Sequence, residues 1–194
     1  MERFAAGTLA GTGCFRCESC GFAIALHELD EVPICPRCGG EDFKRSSIFG
    51  ELSVVEPVGR QDDGQPGWLD QARESLVEAG DYFAYEGEDE DDVTIVALEE
   101  GWTRIGRSMS AQVRFDDPTV SRRHALVHRE DGVVRVLDDR SLNGVFVNGE
   151  RIDMRELDDG DVLLIGRYQI HVMRLTADAR LLPDPRRRFH TALR

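Results

Sequence analysis

Four of the five cysteines form two C-x-x-C-G units, Cys17-Glu18-Ser19-Cys20-Gly21 and Cys35-Pro36-Arg37-Cys38-Gly39. Two thiolates three residues apart on a tight turn can both reach one metal ion about 2.3 Å away, and two such turns complete a tetrahedral set. The glycine after each unit lets the backbone curl until amide N–H groups meet the sulfurs and offset their negative charge. The pattern points to Cys17, Cys20, Cys35 and Cys38 as ligands of one Zn2+ ion; a disulfide pair and redox chemistry are the weaker alternatives. Four protein ligands leave no position for a substrate, so the metal's task is structural: it substitutes for a core in a segment of about 35 residues. Cys14 reads as a spectator thiol, and His27 as a surface or packing histidine.

The elements that must hold these residues follow from punctuation and periodicity. Residues 1–47 resemble a zinc ribbon with a flexible N-terminus, Phe22–Leu26 and Asp42–Lys44 supplying its hairpin-like strands. Glu56–Gly67 is rich in Gly, Pro, Asp and Gln and reads as linker. Trp68, Leu69, Ala72, Leu76 and Val77 then recur at helical spacing, which predicts a short amphipathic helix over 68–79 within a 48–80 linker region. A helix this short is marginal alone in water, so it must dock. From Asp81 onward short β-branched or aromatic runs alternate with turns: Tyr82–Tyr85, Val93–Leu98, Trp102–Ile105, Gln112–Phe115, Ala125–His128, Val133–Leu137, Val145–Val147, Val162–Ile165 and Gln169–Met173. That spacing predicts an all-β sandwich or barrel. Asn143-Gly144 and Asn148-Gly149 predict tight hairpin turns, because both central residues of a type I′ turn need positive φ. The acidic run Glu86–Asp92 reads as a solvated loop tip, and residues 176–194 as a basic tail.

Within this β region several polar residues fall in turns, where a core explanation is weak: Gly106-Arg107-Ser108, Ser121-Arg122-Arg123-His124, Ser141-Leu142-Asn143-Gly144 and Asn148-Gly149. In this order and at these intervals, G-R, S-x-x-H and S-x-N-G resemble the forkhead-associated (FHA) domain, over about residues 81–175. The resemblance implies an FHA-type β-sandwich of about eleven strands whose loops at one end bind phosphothreonine peptides. A phosphothreonine carries close to two negative charges and three acceptor oxygens. Arg107 would grip two of them with a planar guanidinium, Ser121 would donate its hydroxyl, and Arg122 its backbone N–H. By the same resemblance Asn143 bonds the peptide backbone, with Leu142 beside it where the family often has Thr or Ser. Ser108, Arg123 and Arg140 are possible secondary contacts. Gly106, His124 and Gly144 are structural support, His124 bracing the Ser121 loop. Uncharged Thr119, two residues before the motif serine, gives no support for selection of an acidic residue in the peptide.

The remaining readings are exclusions and partners. The chain of 194 residues carries a net charge of −13, which argues against duplex nucleic acid as the main ligand. Arginines gathered at one loop end of such an acidic body would attract a phosphorylated peptide while discouraging indiscriminate polyanion binding. No apolar run approaches the ~18 residues of a membrane helix, and residues 1–30 lack a signal-peptide core, so the expected place is the cytoplasm. No phosphate-binding P-loop, H-E-x-x-H or G-x-S-x-G motif is present. The expected function is that of a non-catalytic phosphothreonine-reading adaptor in bacterial Ser/Thr kinase signalling. The rival is a zinc-ribbon nucleic-acid or transcription-machinery binder that uses Arg186-Arg187-Arg188 as a basic arm. Thr8 and Thr12 add a third possibility: a phosphorylated N-terminus that occupies the chain's own pocket.

Overall fold

Short β-branched and aromatic runs between turn residues favour strands, and fifteen form alongside one helix among the described residues. The structure is a computed structural model and describes residues 3–46, 66–87 and 93–176. Most of the linker, the acidic run beyond Gly87 and the basic tail lie outside the described residues. No helix among the described residues is long and apolar enough to cross a membrane.

The N-terminal unit is a four-stranded antiparallel sheet of β1 (Arg3–Ala5), β2 (Gly13–Cys17), β3 (Ala23–Leu26) and β4 (Asp42–Ser46), in the order β1-β4-β2-β3. Strands β3 and β4 match the two expected hairpin-like segments, whereas β1 and β2 are additional. The segment expected to be a flexible N-terminus instead adds a strand to the sheet edge, because Phe4 packs edge-on against Phe15 at 5.1 Å. Phe15, Ile24, Leu26, Val32 and Phe43 form a small buried core beside the cysteines. Strand β3 is the other edge of this sheet and pairs within it only with β2.

The second unit is a sandwich of eleven strands, the architecture that the FHA resemblance implies. One sheet has the order β13-β10-β9-β7-β8: β7 (Gly101–Gly106), β8 (Val113–Arg114), β9 (Ala125–Glu130), β10 (Val133–Asp138) and β13 (Met154–Leu157). The other has the order β12-β11-β14-β15-β5-β6: β5 (Gly80–Glu86), β6 (Val93–Leu98), β11 (Val145–Val147), β12 (Glu150–Ile152), β14 (Val162–Ile165) and β15 (Tyr168–Leu175). Among the described strands, only β7 and β8 pair in parallel. Ile105, Val127, Val136, Leu157, Leu163 and Ile170 are among the side chains buried between the sheets.

The nine expected runs each fall on a strand, and β12 and β13 are the two that the pattern missed. Asn148 (φ 51°) and Gly149 (φ 81°) form the expected tight turn between β11 and β12. Asn143-Gly144 does not: only Gly144 has positive φ (89°), and the pair lies in the loop between β10 and β11, with Asn143 turned inward. The helix, α1 (Gly67–Ser75), is shorter than expected. Its C-cap Leu76 is already extended and Val77 is 74% exposed, so Val77 is not part of its apolar face. Leu69 and Ala72 dock on Ala84 and Met173, on the face of the β5–β15 sheet that points away from the sandwich core.

Candidate functional site

Two sites emerge, one in each unit. In the ribbon, the four expected sulfurs lie within 4.8 Å of one another, with Cys17–Cys38 and Cys20–Cys35 Sγ separations of 3.6 Å. A tetrahedral zinc with thiolates at ~2.3 Å places its sulfurs about 3.8 Å apart, so the donor set fits such an ion. Gly21 (φ 74°) and Gly39 (φ 71°) supply the curl after each unit, and their amides donate to the Cys17 and Cys35 carbonyls. The amides of Phe22, Arg37 and Cys38, and Gly40 meet the sulfurs of Cys20, Cys35 and Cys38, respectively. Gly40 is a residue that sequence reasoning missed. A Cβ there would sit 3.1 Å from the Cys17 sulfur and 3.3 Å from that of Cys38. Cys14 is buried on β2, outside this cluster, and His27 is exposed.

In the sandwich, the loops that follow β7, β8 and β10 meet at one end. Gly106 ends β7 because the Ser121–Arg122 backbone passes over it: a Cβ there would lie 2.4 Å from the Arg122 carbonyl oxygen. The amides of Arg107 and Ser108 donate to the Ser121 and Arg122 carbonyls, fixing the two loops together. His124 is fully buried, and its Nδ1 accepts from the Ser121 N–H at 3.0 Å. Its Nε2–H therefore donates to the Gly144 carbonyl at 3.2 Å, linking the Ser121 loop to the Asn143 loop. Burial pushes the His124 pKa down to about 4, so the ring is neutral in this role. Ser141 holds the same loop from inside: its hydroxyl accepts from the Gly144 N–H, and its own N–H donates to Asp138.

These supports bring Arg107, Ser121, Arg122, Arg140 and Leu142 onto one cleft of about 510 Å³. Arg107 is 7% exposed, and burial lowers its pKa despite the opposing charge of Asp30. Its Nε is buried without a hydrogen-bond partner. The Ser121 Oγ accepts from the Leu142 N–H at 3.0 Å, which leaves its own proton to donate. Arg122 and Arg140 are exposed on the rim. Arg123 is otherwise engaged, since its guanidinium makes two 2.7 Å bonds to Asp139. Ser108 turns toward Ser110 in its own loop, at 3.0 Å. Thr119 is buried, and its hydroxyl donates to Asp117, so it is not available at the surface.

Asn143 lies behind the cleft, 4% exposed, and two of its three side-chain hydrogen bonds go to the ribbon. Its Oδ1 accepts from the Ala23 N–H at 2.9 Å, and its Nδ2 donates to the Ala23 carbonyl at 2.7 Å and to the Thr119 carbonyl at 3.2 Å. The Ala25 N–H donates to the Pro118 carbonyl at 2.8 Å, and Asp30 Oδ2 lies 3.4 Å from Arg107 Nη1. Thr12, Cys14, Ala25, Leu26 and His27 supply the ribbon's wall of the cleft. Sequence reasoning missed Ala23, Asp30 and Asp117. The first two meet partners 120 and 77 positions away, and no local signal marks such contacts.

Comparison with known proteins matches these two units. Residues 103–166 match the FHA domain family, and residues 1–47 match a zinc-ribbon containing domain. The glycogen accumulation regulator GarA of Mycolicibacterium smegmatis is 41% identical over 73 residues, covering 38% of this chain and 46% of GarA. The oxoglutarate dehydrogenase inhibitor of Corynebacterium diphtheriae is 41% identical over the same length, covering 38% of this chain and 51% of that protein. The chain thus spans about half the length of the curated relatives it matches. Among solved structures, the FhaA FHA domain complexed with the intracellular domain of Rv3910 is 33% identical, covering 48% of this chain and 99% of that one, with a TM-score of 0.45. The chain therefore joins an N-terminal zinc-ribbon containing domain to an FHA domain.

Proposed function

We propose that the loop end of the sandwich reads phosphothreonine peptides, and that the protein is a non-catalytic adaptor in bacterial Ser/Thr kinase signalling, acting in the cytoplasm. The observation that carries this is the buried Arg107, with an unsatisfied Nε, beside the Ser121 hydroxyl on one cleft. A guanidinium and a hydroxyl are the donors that a phosphate ester needs, and a low-dielectric setting strengthens both bonds. Arg107 grips the phosphate, Ser121 and the Arg122 N–H share its oxygens, and Asn143 takes the peptide backbone with Leu142 alongside. Arg140 adds rim potential, whereas Ser108 and Arg123 contribute less, given their other partners. Gly106, His124 and Gly144 hold the loops in place. One Zn2+ on Cys17, Cys20, Cys35 and Cys38 supplies the ribbon with the stability its small core lacks. The working division is a ribbon at 1–47, a linker with α1 at 48–80, the FHA domain at 81–175 and a tail at 176–194.

The test is binding of a threonine peptide and its phosphorylated twin to the full chain. Phosphorylation is expected to be essential, and Arg107→Ala to weaken binding at least about thirtyfold, since truncating one side of a buried charge pair costs roughly 2–5 kcal/mol. Equal affinity for the two peptides would overturn the reading. A second reading has one observation behind it: exposed Thr12 lines the cleft that Arg107 lines. A phosphoryl group on Thr12 would engage the site within the chain, and phosphorylated full-length protein would then resist peptide binding.

A further inference from the structure

Asn143, the residue assigned above to the backbone of a bound peptide, is already saturated. Its side-chain oxygen takes the Ala23 N–H, and its two amide hydrogens go to the Ala23 and Thr119 carbonyls. Ala23 belongs to β3, the ribbon's edge strand, and the outward Ala25 N–H of the same strand donates to the Pro118 carbonyl of the sandwich. An exposed strand edge is a row of unpaired donors and acceptors that seeks a partner. Here the partner is the peptide-reading end of the sandwich. Ala23 is fully buried and Asn143 nearly so, so a peptide backbone has no room to share these contacts.

We propose that β3 is a built-in occupant of the peptide-backbone subsite, and that a phosphothreonine peptide must displace the ribbon to bind. The proposal rests on the phosphothreonine reading above and names the regulation of that same site. The occupancy is uneven in a way that suits displacement. At the backbone subsite the contacts are short and paired. At the phosphate subsite, Asp30 offers Arg107 one carboxylate oxygen at 3.4 Å, and that oxygen already accepts from the His27 N–H at 2.7 Å. The Arg107 Nε gains no partner. A carboxylate carries one charge, whereas a phosphate ester carries nearly two on three oxygens. The ligand's advantage over the ribbon is therefore concentrated at the phosphate. An unphosphorylated peptide would exchange one set of backbone hydrogen bonds for an equivalent set and gain nothing, so the docked strand sharpens discrimination against it.

The experiment uses full-length, zinc-loaded protein and the tightest phosphothreonine peptide that the Asp30→Asn chain recovers from a degenerate library. Affinity is measured for wild type, Asp30→Asn and Glu28→Gln, the last making the same charge change at an exposed residue away from Arg107. Asp30→Asn is expected to tighten binding roughly two- to fivefold, the scale of one partly exposed ion pair, and Glu28→Gln by much less. In parallel, amide exchange is followed by NMR. Saturating peptide is expected to speed exchange at Ala23 and Ala25 by about tenfold or more while amides of the sandwich core stay protected. Saturation with unchanged protection at Ala23 and Ala25 would overturn the proposal, as would equal affinities for the two variants. If no chain prefers the phosphorylated peptide to its unphosphorylated twin, the phosphothreonine reading itself falls and takes this one with it. That outcome is recognised by the missing preference between the two peptides, not by unmoved ribbon amides.

Discussion

His124 shows how one buried side chain sets the geometry of a surface site. Its two ring nitrogens bridge the Ser121 and Asn143 loops, and the bridge works only in the neutral form, with Nδ1 accepting and Nε2–H donating. The unfolded ring titrates near 6.5, the folded one near 4. As pH falls below 6.5 the unfolded chain binds a proton that the folded chain refuses, so stability present above pH 6.5 drains away down to about pH 4. The full loss is about 3 kcal/mol. Denaturant midpoints at pH 7 and pH 4.5 should show this loss in wild type and a much smaller one in His124→Asn, whose amide does not titrate. Asp81 acts in a lower window. Burial raises its pKa, but hydrogen bonds from Arg129 and Arg174 lower it further, to a net value below the usual one. Its contribution is present above about pH 3.9 and disappears only below that. Gly106 is the second controlling position. With a Cβ 2.4 Å from the Arg122 carbonyl, Gly106→Ala must push the Ser121–Arg122 loop outward, and phosphopeptide affinity is expected to fall by more than tenfold, read by fluorescence anisotropy. The motif residues were legible because G-R, S-x-x-H and S-x-N-G follow one another in an order and at intervals that resemble the FHA domain, although singly Gly, Ser and Asn are ordinary turn residues. Asp117 was not, since a buried aspartate that receives the Thr119 N–H and hydroxyl looks from sequence like any loop acid.

At the scale of elements, helix α1 shows that packing overrides periodicity at helix ends. Five apolar residues at helical spacing predicted one face, but the helix ends at Ser75, and the chain turns extended at Leu76 and leaves Val77 exposed before β5 begins at Gly80. The docked part is real core: Leu69 is 2% exposed against Ala84 and Met173. Leu69→Ala is expected to cost about 2–5 kcal/mol in urea unfolding. Because α1 packs on the far face of the β5–β15 sheet, phosphopeptide affinity should be unchanged at temperatures where the variant is folded. A change in affinity without a change in stability would mean that the helix touches the site. Strands carried by short β-branched runs, such as Val133–Leu137, were legible from the sequence alone. Strands β12 and β13 were not, because Glu150–Leu157 is too charged for alternation to show; β-ladder pairing to β11 and β10 makes them strands. Asn143-Gly144 was misread for a related reason. The dipeptide favours a hairpin in isolation, but here Asn143 has a buried partner strand to satisfy, and only its glycine needs positive φ.

For the whole molecule, what could not be read in advance is that the two units meet at the loop end of the sandwich that carries Arg107 and Asn143. Each was recognisable by its own motif, yet the contacts between them link residues 77 and 120 positions apart and involve an alanine backbone and a loop aspartate. On the proposal that β3 covers the peptide site, this arrangement ties metal to ligand binding. The ribbon's buried core is small, built around Phe15, Ile24, Leu26 and Phe43, too little to fold a segment of this length without its metal. The sandwich keeps its own core between two sheets and does not depend on the cysteines. Stripping zinc with a chelator should therefore unfold the ribbon and leave the sandwich intact: amides of β2, β3 and β4 lose protection, while those of β9, β10, β14 and β15 keep theirs. With β3 gone, Asn143 and Arg107 are freed together. The stripped protein should bind phosphothreonine peptide more tightly than the loaded one, by at least the gain that Asp30→Asn gives, because it loses the backbone contacts as well as the carboxylate. Weaker binding after stripping, with the sandwich still protected, would mean that the ribbon completes the peptide site instead of covering it. Readdition of one equivalent of zinc should restore both the protection and the lower affinity, which separates release of the ribbon from irreversible damage to the thiols.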